Sequence, residues 1–206
     1  EAVSKPKTTK FTSYRFPQPL PDGSVLCLKS GLDLINTYYI IDSAGGEHKL
    51  FCPGIYTEDH INLVAEGEKM VWAEAAYDPR WGSRDYSVIK IHDLSTGKTR
   101  QLSYKSRYFS AAVSKDGTKV LVCQSDTMSR YSLILLDAEH GKQIRKLPNA
   151  GNIFFTQPRW MADNVQVVCI GLNSRGNALL RVNTITGQID TFLPFSYTAI
   201  SRPCPH

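Results

Sequence analysis

Residues 113–147 read VSKDGTKVLVCQSDTMSRYSLILLDAEHGKQIRKL. Two runs in this stretch, TKVLVCQ at 118–124 and YSLILLD at 131–137, are dense in β-branched and aliphatic residues and are bounded by Gly, Asp and Ser, the composition of short strands. Asp116-Gly117 precedes the first run, and Asp137 follows the second with Gly141 four residues on. Both marks recur along the chain. The first appears as Asp22-Gly23, Glu66-Gly67, Asp116-Gly117 and Asp163-Asn164; the second as the words IIDSAGG, IHDLSTG, LLDAEHG and RVNTITG, carrying Asp42, Asp93, Asp137 and Asn183. Successive spacings lie between 44 and 51 residues for both marks.

A period of this size marks a repeat architecture. The turn chemistry explains the marks: Asp-Gly between β runs predicts a tight hairpin built on positive φ, and Asp-x-x-x-Gly a longer one in which Asp caps the turn and Gly takes the left-handed position. These residues are therefore read as structural. Each unit contains four short strands, with EHKLFC, KTRQLS, KQIRKLP and QIDTFLP following the second mark, and no segment shows a capped 3.6-residue apolar period. A four-stranded antiparallel unit cannot bury both faces alone, so neighbouring units must stack, and radial stacking gives a β-propeller. The expected organisation is all-β: an N-terminal extension at 1–10, then a propeller fragment at 11–206 with repeats near 11–54, 55–104, 105–149 and 150–194. The start of a fifth repeat is expected at 195–206. Such an unfinished arc would expose a sheet face, predicting self-association through open propeller ends or closure as a distorted ring.

The 206 residues are 42% hydrophobic and 21% charged, which excludes a disordered chain. The net charge of +5 is too mild to imply a nucleic-acid partner, which needs a basic stripe with stacking aromatics. No run is long enough for a membrane helix. The segment EAVSKPKTTK has no apolar leader and the chain starts at Glu1, so a mature or excised form is expected. Five widely spaced cysteines contain no C-x-x-C pair, and Cys27, Cys123 and Cys169 sit in apolar runs, so buried thiols are expected and neither a metal site nor a cofactor. Glu58, Asp59 and His60 are adjacent, but alternate strand residues point to opposite faces, so a surface cluster is expected there.

The pattern best preserved in VSKDGTKVLVCQS and LILLDAEHGKQIRKL resembles the WD-like repeat of TolB-type β-propellers. The stretches at 77–117 and 193–203 are similar to large bacterial envelope proteins in which such a propeller is one part of a longer chain. That resemblance implies a secreted, periplasmic or cell-envelope address and no particular activity. Glu66-Gly67 and Asp163-Asn164 depart from the Asp-Gly pattern, so a different geometry is expected at those two turns. Related propellers precede the hydrolase domain of prolyl-oligopeptidase-like peptidases. No G-x-S-x-G elbow occurs here, and the five histidines, His92 among them, lack a recurring nucleophile partner, so this chain by itself is not expected to be an enzyme.

In a four-stranded meander the two marked turns share one end of each sheet. The second-to-third-strand loops (31–36, 76–85, 125–130, 173–177) and the segments joining repeats share the other. Loops on a rigid scaffold commonly carry recognition. The most unusual is AYDPRWGSRD at 76–85, which places Tyr77, Asp78, Arg80, Trp81 and Arg84 close together beside Asp85, in residue types enriched at binding hot spots. Arg107, Tyr108 and Arg130 fall on the same face, with Arg175. Two readings stand for this loop: an anchor for a peptide or glycan, or an internally satisfied loop with its arginines paired to Asp78 or Asp85. The expected function is a non-catalytic binding or scaffolding propeller that recognises a protein, peptide or glycan. The alternative is a regulatory or substrate-gating part of a larger enzyme.

Overall fold

The computed structural model describes residues 10–55, 63–82 and 85–204, with the Asp85 side chain excepted. Among the described residues sixteen strands form four separate four-stranded antiparallel sheets, and the chain divides into two compact units, residues 1–56 and 57–206. The first unit holds one sheet, in order β1 (Thr12–Pro19), β2 (Val25–Gly31), β3 (Leu34–Ile41) and β4 (Glu47–Phe51). Its loop between β2 and β3 is only two residues, Leu32 and Asp33, because Leu34–Asn36 join the strand that the sequence had left as loop.

The second unit holds three sheets, each a simple meander in chain order. These are β5 (Val64–Glu66), β6 (Lys69–Tyr77), β7 (Asp85–Asp93) and β8 (Lys98–Gln101); then β9 (Tyr108–Val113), β10 (Lys119–Ser125), β11 (Tyr131–Asp137) and β12 (Gln143–Lys146); then β13 (Phe154–Trp160), β14 (Gln166–Asn173), β15 (Gly176–Asn183) and β16 (Ile189–Ser196). Consecutive sheets pack face to face with their first strands adjoining, β5 beside β9 and β9 beside β13. The shared core includes Val71, Ile89, Leu121, Ile134, Phe155, Trp160 and Leu180. Each fully buried aliphatic side chain contributes roughly 1.5–3 kcal/mol, and Trp160 also donates its Nε1–H to the Ala112 carbonyl of the preceding sheet at 3.0 Å. The thiols of Cys27, Cys123 and Cys169 are buried, and burial pushes Cys169 up to about 12; Cys52 and Cys204 are exposed.

The marked turns behave as capped structures. Asp93, Asp137 and Asn183 each accept the amide of the glycine four residues on, at 2.8–2.9 Å, through their own carbonyl, with Gly97, Gly141 and Gly187 at positive φ. Their side-chain Oδ1 atoms accept the amides of Thr96, His140 and Thr186. In the first repeat the left-handed position falls one residue early, on Gly45, and Asp42 Oδ1 reaches Gly46 N at 2.7 Å. The Asp-Gly turns differ from the tight hairpins expected of them: Gly117 donates to Ser114 O and is left-handed while Asp116 is not, so a wider loop ends on a left-handed glycine. Asn164 takes the same left-handed position at φ 53°, so its departure from the pattern leaves the turn intact. Glu66, one methylene longer than Asp, reaches forward to Lys115 Nζ at 2.8 Å.

A second periodic feature had no sequence expectation. Phe16, Ser110 and Gln157 lie at bulges in the first strands, all at positive φ near 50°, and Arg202 repeats that φ at the same spacing. Its amide donates to Gln157 Oε1 at 2.7 Å. Residues 197–204 form no strand, and β16 runs through Ser196, past the expected end of the fourth repeat at 194.

Candidate functional site

At the end of the second unit opposite the capped turns lie the loop residues 78–82, the loops 126–130 and 174–175 and the connecting segments 103–107 and 149–153. Hydrogen bonds tie the connecting segments to the strands and loops beside them. Ser87, near the start of β7, donates its amide to Ser106 O at 2.8 Å, and Ser106 Oγ returns a bond to Ser87 O at 2.6 Å. One residue on, Arg107 O accepts the amide of Ser125, the last residue of β10. Asn152 does the same for the next connecting segment: its Oδ1 accepts Tyr131 N at 2.8 Å and its Nδ2 donates to Ser129 O at 3.1 Å. Asn149 Nδ2 donates to Tyr131 O and Ile153 O at 2.9 Å each. Tyr197 reaches back to Ser174 O. Every connecting segment described in this unit is thus anchored to the sheet it leaves.

These anchors position the sequence candidates. Tyr77 ends β6 and is 64% exposed; Trp81 is 53% exposed. Asp78 is engaged locally, its Oδ1 accepting the amides of Arg80 at 2.9 Å and Trp81 at 3.3 Å. Arg80 is exposed and forms no ion pair among the described residues. Arg107 is exposed, while Tyr108 is half-buried, and burial raises its hydroxyl above the ordinary range. Arg130 folds onto its own loop: its Nε contacts Asp126 Oδ2 at 2.7 Å while Asp126 Oδ1 accepts the amides of Met128 and Arg130. The hydrogen bonds from these amides and from the Arg130 side chain hold the Asp126 carboxyl below its usual range. Arg175 lies over the Phe195 ring at 5.3 Å. Arg84, and the cluster of Glu58, Asp59 and His60, lie outside the described residues.

Sequence reasoning missed three things here. Tyr104, Met128 and Tyr197 are strongly exposed on the same face, at 79%, 73% and 88%. Phe109 stacks on Phe154 at 5.1 Å, and Tyr131 meets Phe154 edge-on at 5.0 Å, giving a half-buried aromatic floor between two sheets. Asn149 and Asn152 were readable only as loop residues, although Asn at a left-handed position (Asn152, φ 44°) is the available signal. His92, read from the sequence as structural or solvent-facing, is buried and meets Thr99 Oγ1 through Nδ1 at 2.8 Å, with its pKa lowered by burial.

No family model matches the chain, and no curated protein matches it. Solved structures do. TolB from Acinetobacter baumannii superposes with a TM-score of 0.66 at 16% identity over 88% of this chain, and the TolB-annotated protein of Agrobacterium tumefaciens with 0.60 at 12% over 83%. The fold is that of TolB-type β-propeller blades. The chain spans 44% and 61% of those two structures. An acylaminoacyl peptidase from Pyrococcus horikoshii matches 92% of this chain with a TM-score of 0.57 at 14% identity, over 33% of its own length. Each four-stranded sheet is therefore one propeller blade, and the anchored loops lie on one face of the three consecutive blades of the second unit.

Proposed function

We propose that this chain is a non-catalytic binding or scaffolding propeller of a bacterial envelope protein, and that it recognises a protein, peptide or glycan through the loop face of its second unit. The observation that carries the reading is the set of exposed Tyr77, Trp81, Tyr104 and Met128 on one face, with the Trp81 turn held by the Asp78 side chain and the Met128 loop by its own backbone bond and the Asp126 side chain. Large exposed side chains on a rigid support cost little entropy to order on binding, which is the economy of a recognition surface. The envelope address rests on the resemblance of 77–117 and 193–203 to envelope proteins. The test is capture on peptide and glycan arrays by wild type and by the double variant Arg80→Ala, Trp81→Ala. Array signal should fall while the melting temperature holds; a collapsed melting transition would assign the pair to structure instead.

The match to the Pyrococcus horikoshii peptidase favours a second reading, a gating propeller of a larger enzyme. The coding sequence on either side of this segment decides between them: a hydrolase elbow there supports gating. Self-association through open blade faces belongs to the same proposal, and light scattering that gives a monomer at all concentrations would remove it.

A further inference from the structure

We propose that the loop face of the second unit takes an acidic polypeptide segment. This rests on the reading that the face is a binding surface, and adds the charge of what it binds. Among the described residues of the face, five cations (Arg80, Lys105, Arg107, Arg130 and Arg175) stand against two carboxylates with described side chains, Asp78 and Asp126. Both carboxylates are already engaged. Asp78 holds two amides of its own turn, and Asp126 holds two amides and the Arg130 guanidinium. Arg80, Lys105 and Arg107 form no ion pair among the described residues, and all three are exposed.

The cations share these loops with the exposed Tyr77, Trp81, Tyr104 and Met128. That mixture suits an extended chain carrying both carboxylates and apolar side chains. Guanidinium groups grip carboxylates with two parallel bonds, and the aromatic faces cover the apolar positions. A neutral glycan would leave the guanidinium groups unused. A nucleic acid requires a continuous cationic track along its phosphates, whereas here Arg80, Arg130 and Arg175 sit one to a blade.

The experiment measures fluorescence anisotropy with three labelled peptides of one length and one aromatic content: Asp/Glu-rich, its Asn/Gln counterpart, and its Lys counterpart. The acidic peptide should bind about tenfold more tightly than the amide one at low salt, with the margin shrinking as salt screens it. The double variant Arg80→Gln, Arg107→Gln should erase the margin while the melting temperature stays put. Equal binding of acidic and amide peptides, both weakened by Trp81→Ala, would overturn the acidic preference and leave the binding surface standing. An acidic margin that survives the double variant would also overturn it, by locating the site elsewhere. Failure of all three peptides and of the glycan array would bring down the surface itself.

Discussion

The two ends of the three-blade unit use the same residue types for opposite purposes. At the capped-turn end, charged groups are engaged between blades: Lys115 meets Glu66 at 2.8 Å, Lys69 Nζ donates to Gly117 O at 2.7 Å, and Arg100 donates to Glu139 O. Arg145 repeats the Arg100 contact one blade later, on Ile185 O. At the loop end, backbone amides, asparagines and serines tie each connecting segment to the sheet it leaves, and Arg80, Arg107, Tyr77, Trp81 and Tyr104 are exposed. One end stitches the blades with its long side chains; the other fixes its connections with short ones and leaves these long ones to solvent. A side chain that holds the fold cannot also close on a ligand, so this division separates stability from recognition.

The comparison breaks hardest at Gly141. Its φ is +69°, and a Cβ placed there would come within 1.9 Å of Leu102 O in the neighbouring blade, which is backbone and cannot swing aside. Gly97 holds the same turn position at φ +66° with nothing within 4 Å. Gly141→Ala should therefore cost about 3 kcal/mol or more, against roughly 1 kcal/mol for Gly97→Ala, whose penalty is conformational alone. Equilibrium denaturation of the two variants reads the difference directly. Equal losses would mean that the turn end does not couple the blades.

Next in size is Asn152, the loop-end counterpart of those couplings. Asn152→Ala removes both bonds to the neighbouring loop and leaves a side chain in a left-handed conformation it disfavours, an expected loss of about 1.5 kcal/mol. Asn152→Gly keeps the backbone freedom and should recover part of it. No loss in either would show that the loop end is held by the serine bonds alone.

A third test uses acid. Asp93 has its carboxyl pulled down to about 2, first by the Ser95 hydroxyl and then by the Thr96 amide, and Asp137 is lowered by the His140 amide. A carboxylate with a lowered folded-state pKa stabilises the fold above its unfolded value near 3.9 and loses that contribution as pH falls toward the folded value. The melting temperature should thus be flat near neutrality and decline between about pH 4 and 2. Asp93→Asn, which copies what Asn183 already does in the last blade, keeps the acceptor and should flatten part of that decline; Asp93→Ala should cost about 1 kcal/mol at neutral pH. A full acid decline in Asp93→Asn would place the titrating groups elsewhere.

The turn end was the legible one. Its conformations require particular residues, so Asp93 through Gly97 and Asp137 through Gly141 announce their turns wherever they occur, and alternating Val, Leu and Ile announce the strands between. The bulges at Ser110 and Gln157 left no comparable mark, because their positive φ falls on residue types that do not favour it. The loop end was half legible. Arg and Trp at 80–81 stand out by type, but Asn152 acts through a partner twenty-one residues away, and no local pattern encodes such a pairing.

The smallest expected effect on stability is also the one that most sharpens the contrast. Trp81 is 53% exposed and Arg80 has no described ion pair, so truncating both to alanine removes little buried area and should shift stability by less than about 0.5 kcal/mol. Trp160, a tryptophan in the core of the same unit, is fully buried and bonded to Ala112 O, and Trp160→Ala should cost roughly 3–5 kcal/mol. Scanning calorimetry on both changes sets the core and the loop face on one scale. A large loss at Trp81 would mean that the turn at 78–82 is bracing its blade, and the exposed aromatic residues would then have to be read as structure. A negligible loss leaves a large apolar surface held in place with no demand from the fold, and such a surface needs a partner to account for it.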